Sequence, residues 1–495
     1  MPRRTAAVDA THFELLGESV PHTPTVDWKP SAHPSGTLGR IVLHEHRWIE
    51  PLADDDVQRI LESWCQQVHA YEGKDWIDAY NAFALSVRVV VWMQQLADRP
   101  ALSDGCRRTL QDSLVAQLAF LHRNLETDLG GNHLIKDIKA LLWGAACFEG
   151  ADPTRWHTTA VDLLQRELIE QVPPDGLHAE LSPAYHLQVF ADLVEIYSVL
   201  DPSPIRAQLM DALNRMATAA RLTTAPDGAP ILLNDAGLTM AYPCEAICDA
   251  WARLGGSVDA NFGPFALRNS GLFGFRSAQD LVVLDAGPLG MDALPGHGHA
   301  DALNLLWSLG GHRVFVDPGV YEYQGPSRPW CRSTEAHNTV CIDGEDQAEL
   351  FSVFRAGRRW TATVHEWSPT DDGFRVSASH DGYRRMKGSP VHRRTVHLHR
   401  DVLRIVDEIA NPAEHRIESG LLLHPDIQVK ATEDGATLTT PTHSISLTSS
   451  LRTDVKPAIW CPDFGVKTPT LRLYFDFGVG VHTHSLNLSW TKRDR

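Results

Sequence analysis

The 495-residue chain is predicted to be an α+β protein of two domains, helical in its first half and antiparallel β in its second. Three observations carry this. Between about residues 50 and 262, apolar positions recur at helical spacing. After NFGPFALRNSGLFGF, short alternating or β-branched runs replace them, separated by Gly, Asp and Asn. The order is helices and then strands, without the alternation of a parallel βαβ protein. The length also exceeds what one simple core organises.

Residues 1–45 contain VPHTPTVDWKPSAHPSGT, rich in Pro, His, Ser and Thr, and are expected to be a tail or a wrapping segment without a core of its own. Residues 46–265 form the expected helical domain. In NHLIKDIKALLWGAACF the positions Leu134, Ile138, Leu141, Leu142 and Ala145 share a helix face, as do Val189, Phe190, Leu193, Ile196, Tyr197 and Leu200. PPDG, DPSP and APDGAP punctuate successive units, so several antiparallel helices of a bundle or toroid follow. Residues 266–495 form the expected β domain, with strands in LVVLDAG, RVFVDPG, HNTVCIDG, WTATVHEW and RTVHLHRDVLRIVDEI.

Lys and Arg total 45 against 62 Asp and Glu, a formal charge of −17. That balance argues against nucleic acid or an anionic membrane as partner, and a polyanionic substrate would need a locally basic groove. The eight cysteines lack the spacings of a zinc ribbon or disulfide scaffold and are expected to be reduced thiols. The start MPRRTAAVDATHFELLGESV lacks a secretory apolar run, which points to the cytoplasm, or to the periplasm or secretion if the chain was trimmed. No segment reads as a transmembrane span.

The densest polar constellation is GHGHAD at 296–301, followed by VFVDPG at 314–319 and EAHNTV at 335–340. If GHGHAD is extended, His297, His299 and Asp301 share one face. With Asp317 and His337 they suit a zinc ion or, equally, a hydrogen-bonded active site. In GGNHL, Asn132 and His133 open a helix, where Asn132 is also a natural N-cap. In ELSPAYH, Tyr185 and His186 follow the helix-start pair Ser182-Pro183, where a tyrosine is often a packing residue. Asn234 and Asp235 in ILLNDAG read as turn residues.

GHGHADALNLLWSLGGHRVFVDPGVYEYQGPSRPWCRSTEAHNTVCIDGEDQAE resembles the heparinase II/III lyases and the related oligoalginate lyases. DGLHAELSPAYHLQVFADLVEIY, GNHLIKDIKALLWGAACFEG, DAYNAFALSVRVVVW, SHDGYRRM and HRRTVHLHRDVLRIVDEI extend the likeness over about residues 75–485. The resemblance implies an incomplete (α/α) toroid followed by an antiparallel β-sandwich. By motif, Asn132 is similar to the residue that binds the uronate carboxylate, His133 to a histidine beside it, Tyr185 to the catalytic tyrosine and His297 to the catalytic histidine. His299, Asp317 and His337 are similar to metal ligands, usually of a structural zinc, and no organic cofactor is implied.

The implied reaction is β-elimination on an anionic polysaccharide or oligosaccharide, with an oligomer left open. It removes the C5 proton of a uronate, so hydrogen bonds and positive charge must neutralise the neighbouring carboxylate. A base then takes that proton and an acid protonates the departing oxygen at C4, with Tyr185 able to do either and His297 as the alternative base. Arg88 and Arg332 are candidate groove cations. Glu180, His186 and Tyr321, with Tyr323, are candidate substrate contacts. Two other readings stand beside this one: a glycoside hydrolase using Glu180 and Asp235, and a non-catalytic glycan-binding accessory of polysaccharide biosynthesis.

Overall fold

The computed structural model describes residues 9, 11–16, 18–30, 36–70, 75–258, 262–412, 414–479 and 481–493. Helices dominate up to Arg253, and antiparallel strands run from Gly263 to Lys492. By packing, the chain divides into two compact units. One comprises Met1–Gln171, Gln188–Leu213 and Ala246–Gly256, and the other Val172–Leu187, Asn214–Glu245 and Ser257–Arg495.

In the first unit, the helix Asp54–Gln67 begins with three aspartates that favour its positive end, and it buries Val57, Ile60, Leu61 and Trp64 at helical spacing. The helix Asp104–Leu121 starts at Ser103, whose side chain accepts from the Cys106 amide at 3.2 Å. Between them in sequence, Ala82–Asp98 buries every residue from Ala84 to Met93, which makes it the unit's central helix. Among its described residues, the N-terminal segment packs on the helical unit. It lends apolar side chains to the helices: Phe13 stacks on Trp48 at 3.8 Å, and the Trp28 indole donates to Ser63 at 3.2 Å.

In the second unit, a five-stranded meander orders Gly263–Leu267, Leu272–Arg276, Leu281–Asp285, Leu305–Leu309 and His312–Phe315 in sequence. Leu281–Asp285 and Leu305–Leu309 are buried at every position, so both faces of this sheet are covered. One face shares a core with an eight-stranded and a four-stranded sheet, through Phe273, Trp307, Phe374, Ile405, Leu473 and Leu488 among others. The other face packs on Leu177, Ala219, Leu222, Ile231 and Leu233. A single cut at residue 265 therefore does not describe the packing, because 172–187 and 214–245 carry the apolar residues that cover this sheet.

A buried polar knot ties the eight-stranded sheet to a loop within the meander and to one that follows it. Arg394 donates to Asp407 at 2.7 and 2.9 Å, His392 donates to the same carboxylate at 2.8 Å, and Arg394 Nη1 reaches the carbonyl of Leu303 at 2.8 Å and that of Asn338. Asn338 in turn donates to the carbonyls of Leu305 and Val316, each at 2.9 Å. Burial alone would raise the Asp407 carboxyl, but Arg394 and His392 outweigh it and hold the group well below the usual range. Asp407→Asn is expected to lower stability by about 3 kcal/mol, since it leaves a buried guanidinium without its counter-charge. Chemical denaturation checks this, and a loss under about 1 kcal/mol would show the pair is dispensable.

Candidate active site

Tyr185 stands in the first turn of the helix Pro183–Val199. Ser182 accepts from the Tyr185 amide at 3.4 Å and donates to the Asp235 carbonyl at 2.9 Å, so one hydroxyl both starts the helix and fixes it to the 231–237 segment. Leu181 is held at φ +57°, with Asn234 Nδ2 donating to its carbonyl at 2.9 Å. The Tyr185 ring stacks on His297 with centroids 4.2 Å apart, and its hydroxyl hydrogen-bonds the Tyr323 hydroxyl. Burial pushes the Tyr185 phenol above its ordinary value and the Tyr323 bond only partly opposes this, so the proton stays on.

Asp235 organises the site. Its Oδ2 accepts from His297 Nδ1 at 2.9 Å, and its Oδ1 accepts from His299 Nε2 at 3.0 Å. Arg328 donates to both oxygens, at 2.7 Å to Oδ2. Burial would raise this carboxyl, but Arg328 and the two imidazoles hold it well below the usual range. With Nδ1–H committed to a carboxylate, His297 presents the Nε2 lone pair, and Glu180 Oε2 lies 3.8 Å from that nitrogen.

GHGHAD is a loop and not extended, because its amides are drawn to separate partners. Gly298 N donates to Pro295, His299 N to Asn234 Oδ1 at 2.9 Å, and Ala300 N to Arg332. A Cβ on Gly298 would meet the Leu289 carbonyl oxygen at 2.1 Å, so only glycine fits there. The loop turns both histidines onto one carboxylate, and their other nitrogens separate their roles.

His299, Asp317 and His337 place one ligating atom each within 4.8 Å of one another, all buried. His337 Nδ1 donates to Asp317 Oδ2 at 2.9 Å, which leaves its Nε2 without a hydrogen-bond partner. His299 donates through Nε2 and its buried Nδ1 likewise has no hydrogen-bond partner. Two buried imidazole lone pairs and a carboxylate are a fitting donor set for a divalent metal, and Asp235 fixes the His299 tautomer from behind. Asn304 adds a bond of 2.6 Å to Asp317.

Asn132 and His133 belong to the first unit. Asn132 is buried inside the first turn of the helix Gly131–Cys147, whose N-cap is Gly130, so its side chain is not the cap. His133 is partly exposed, lies tilted against Phe83 with ring centroids 4.7 Å apart and meets Glu126 at 3.1 Å.

Three expected substrate contacts, Arg88, Arg332 and His186, are corrected. Arg88 is fully buried in the first unit, bonded to Gln117 at 2.8 Å and the His44 carbonyl at 2.9 Å, with Trp64 4.4 Å from its guanidinium. It is a core cation rather than a groove cation. Arg332 is also buried, with Nε and Nη1 donating to the carbonyls of Gly298 and Val353, each at 3.0 Å. His186 is buried, kept neutral by burial that lowers it to about 3, and bonded to the His178 amide at 3.1 Å and the Met216 carbonyl at 3.0 Å. Tyr321 packs under Lys467, 3.9 Å from its ring, while Tyr323 takes the place beside Tyr185.

The lyase reading of the sequence leaves Asp235 as a turn residue, naming it otherwise only in the hydrolase alternative, and does not name Arg328. The available signal for Asp235 was a polar Asn-Asp pair closing the apolar run ILL, which buries a charge that must be paired. Arg328 in PSRPW carries no such signal. The hydrolase pairing of Glu180 with Asp235 fails, because both Asp235 oxygens are engaged by Arg328 and the histidines.

Family models match both halves of the chain: the "Heparinase II/III N-terminus" over residues 74–254 and "Heparinase II/III-like, C-terminal" over 259–487. A heparin-sulfate lyase of Pedobacter heparinus is 27% identical over 246 residues, which are 44% of this chain and 36% of that protein. The match thus spans about a third of that relative's length. The crystal structure of heparinase III superposes with a TM-score of 0.78 at 17% identity, covering 96% of this chain and 80% of that one. A chondroitin AC lyase of Streptomyces coelicolor, solved with chondroitin sulphate, gives 0.51 at 12% identity over 92% and 74% of the two chains.

Proposed function

The chain belongs to the heparinase II/III family, and on that premise we propose that it is a lyase acting on uronic-acid-containing glycans of the heparan or a related glycosaminoglycan class. The reaction is β-elimination that leaves a 4,5-unsaturated uronate end. The observation that carries this reading is the Tyr185–His297–Asp235 cluster: a buried phenol that keeps its proton beside an imidazole with a free lone pair.

In this reaction the C5–H and C4–O bonds break, the C4=C5 bond forms, and the proton on the leaving oxygen comes from the enzyme. We assign His297 Nε2 as base, since the Asp235 carboxylate holds its other nitrogen protonated. Tyr185 is the acid, delivering its proton to the glycosidic oxygen, with Tyr323 positioning the hydroxyl. Asn132 is assigned, by its motif, to hydrogen-bond the uronate carboxylate and lower the cost of the developing enolate. For the metal held by His299, Asp317 and His337 we propose zinc, which suits imidazole and carboxylate donors and would cross-link the loops carrying them.

Heparin, heparan sulfate, heparosan, hyaluronan, chondroitin and alginate are the substrates to try. At least one is expected to yield products with the ultraviolet absorbance of the C4–C5 double bond. New reducing ends without that absorbance would mean hydrolysis and overturn the assignment. Elemental analysis of purified protein is expected to find about one zinc per chain.

A further inference from the structure

Next to Tyr323 and His297 stands a hairpin that none of these roles uses. Its strands Leu350–Phe351 and Arg355–Ala356 pair Phe351 with Arg355 and Leu350 with Ala356, and Ser352 in the turn has φ +56°. It is closed at its base by Arg358, which donates to Glu349 at 2.6 Å, and by the Gly357 amide on the Glu349 carbonyl at 2.7 Å. At its tip the Val353 carbonyl accepts from Arg332 at 3.0 Å and from Arg328 at 3.3 Å. Two buried arginines thus pin a surface loop, one of them the same residue that holds Asp235.

This anchoring fixes Phe354 at the edge of the site. Its ring lies 5.2 Å from Tyr323 and 6.3 Å from His297, steeply inclined to both, and a Cβ on Gly296 would sit 3.4 Å from Phe354 Cβ. Yet Phe354 stays 40% exposed and Phe351 53%. A loop held this firmly, with apolar rings left in water beside a reactive histidine, is organised for a ligand. Arg355 is exposed, and among the described residues its guanidinium makes no ion pair or hydrogen bond.

We propose that the hairpin 350–356 is a sugar-binding subsite, in which Phe354 receives the C–H face of a pyranose next to the scissile uronate and Arg355 meets an acidic substituent. The proposal rests on the lyase reading of the neighbouring site. Sugar C–H groups carry partial positive charge and pack on the electron-rich face of an aromatic ring, while an unpaired guanidinium selects carboxylate or sulfate. The subsite takes an acidic oligosaccharide rather than a neutral one.

The test is the steady-state kinetics of the wild type, Phe354→Ala, Phe354→Trp and Arg355→Gln on the cleaved polysaccharide, with calorimetric binding of a glucuronate-containing tetrasaccharide alongside. Phe354→Ala is expected to raise KM and weaken tetrasaccharide binding about tenfold, with kcat much less affected, as for loss of binding made equally in ground and transition states. Phe354→Trp should restore most of it, and Arg355→Gln should raise KM several-fold. Unchanged KM and affinity in Phe354→Ala, or a fall in kcat alone, would overturn the platform and make Phe354 a packing support for Tyr323. An unchanged KM in Arg355→Gln would remove the anion contact. If the wild type cleaves nothing, the lyase reading fails, and the calorimetric arm still decides the subsite: a tenfold difference supports it, and no binding by the wild type overturns it.

Discussion

Tyr185→Phe is expected to lose at least about a hundredfold in turnover, the low end for removal of a general acid. The substitution deletes one hydroxyl and keeps the ring that stacks on His297 at 4.2 Å, so the base and its carboxylate partner stay in place. What disappears is the proton that burial keeps on the phenol, against the partial opposition of the Tyr323 hydrogen bond. Its structural cost is small: Tyr323 loses one hydrogen bond but is itself partly exposed and can be wetted, which limits the effect to about 1 kcal/mol. Initial rates from the double-bond absorbance, together with a melting curve, separate the two effects. Activity within a few-fold of wild type would remove Tyr185 from the chemistry. Tyr323→Phe should fall much less, because it positions the acid without touching the reacting atoms.

The second large effect is a contrast between two histidines separated by one glycine. His297→Ala is expected to abolish most turnover while metal content and melting temperature stay near wild type, because Asp235 remains held by Arg328 and His299. His299→Ala is expected to release the metal and destabilise the second unit, since it removes one of three converging donors and leaves the buried His337 Nε2 without the ion that would satisfy it. Elemental analysis and thermal melting on both variants read this directly. Metal loss from the His297 variant, or full retention and stability in the His299 variant, would exchange or merge the two roles.

The broad architecture was legible because hydrophobic periodicity is a local signal: 3.6-residue spacing in NHLIKDIKALLW and β-branched runs such as LVVLD each report their own element. The converging His299, Asp317 and His337 were reachable through motif likeness. What escaped was long-range. Asp235 reads as a turn residue in ILLNDAG, and only the fold carries His297, His299 and Arg328 to it from 62, 64 and 93 positions away. Arg88, Arg332 and His186 failed for the opposite reason. Their polarity suggested exposure, whereas each is buried with carbonyls or a side-chain amide as partner, a state that neither composition nor spacing reports.

The shared carboxylate of Asp235 also bears on how such a sequence can drift. One oxygen accepts from the imidazole proposed as base and the other from an imidazole of the proposed metal triad, so on that reading selection for stability and selection for turnover act on the same atom pair. Substitutions at 235, 297 and 299 are therefore epistatic, with Asp235 the least replaceable of the three. A descendant released from its chemistry could shed His297 early, yet it would keep Asp235 for as long as it kept the metal.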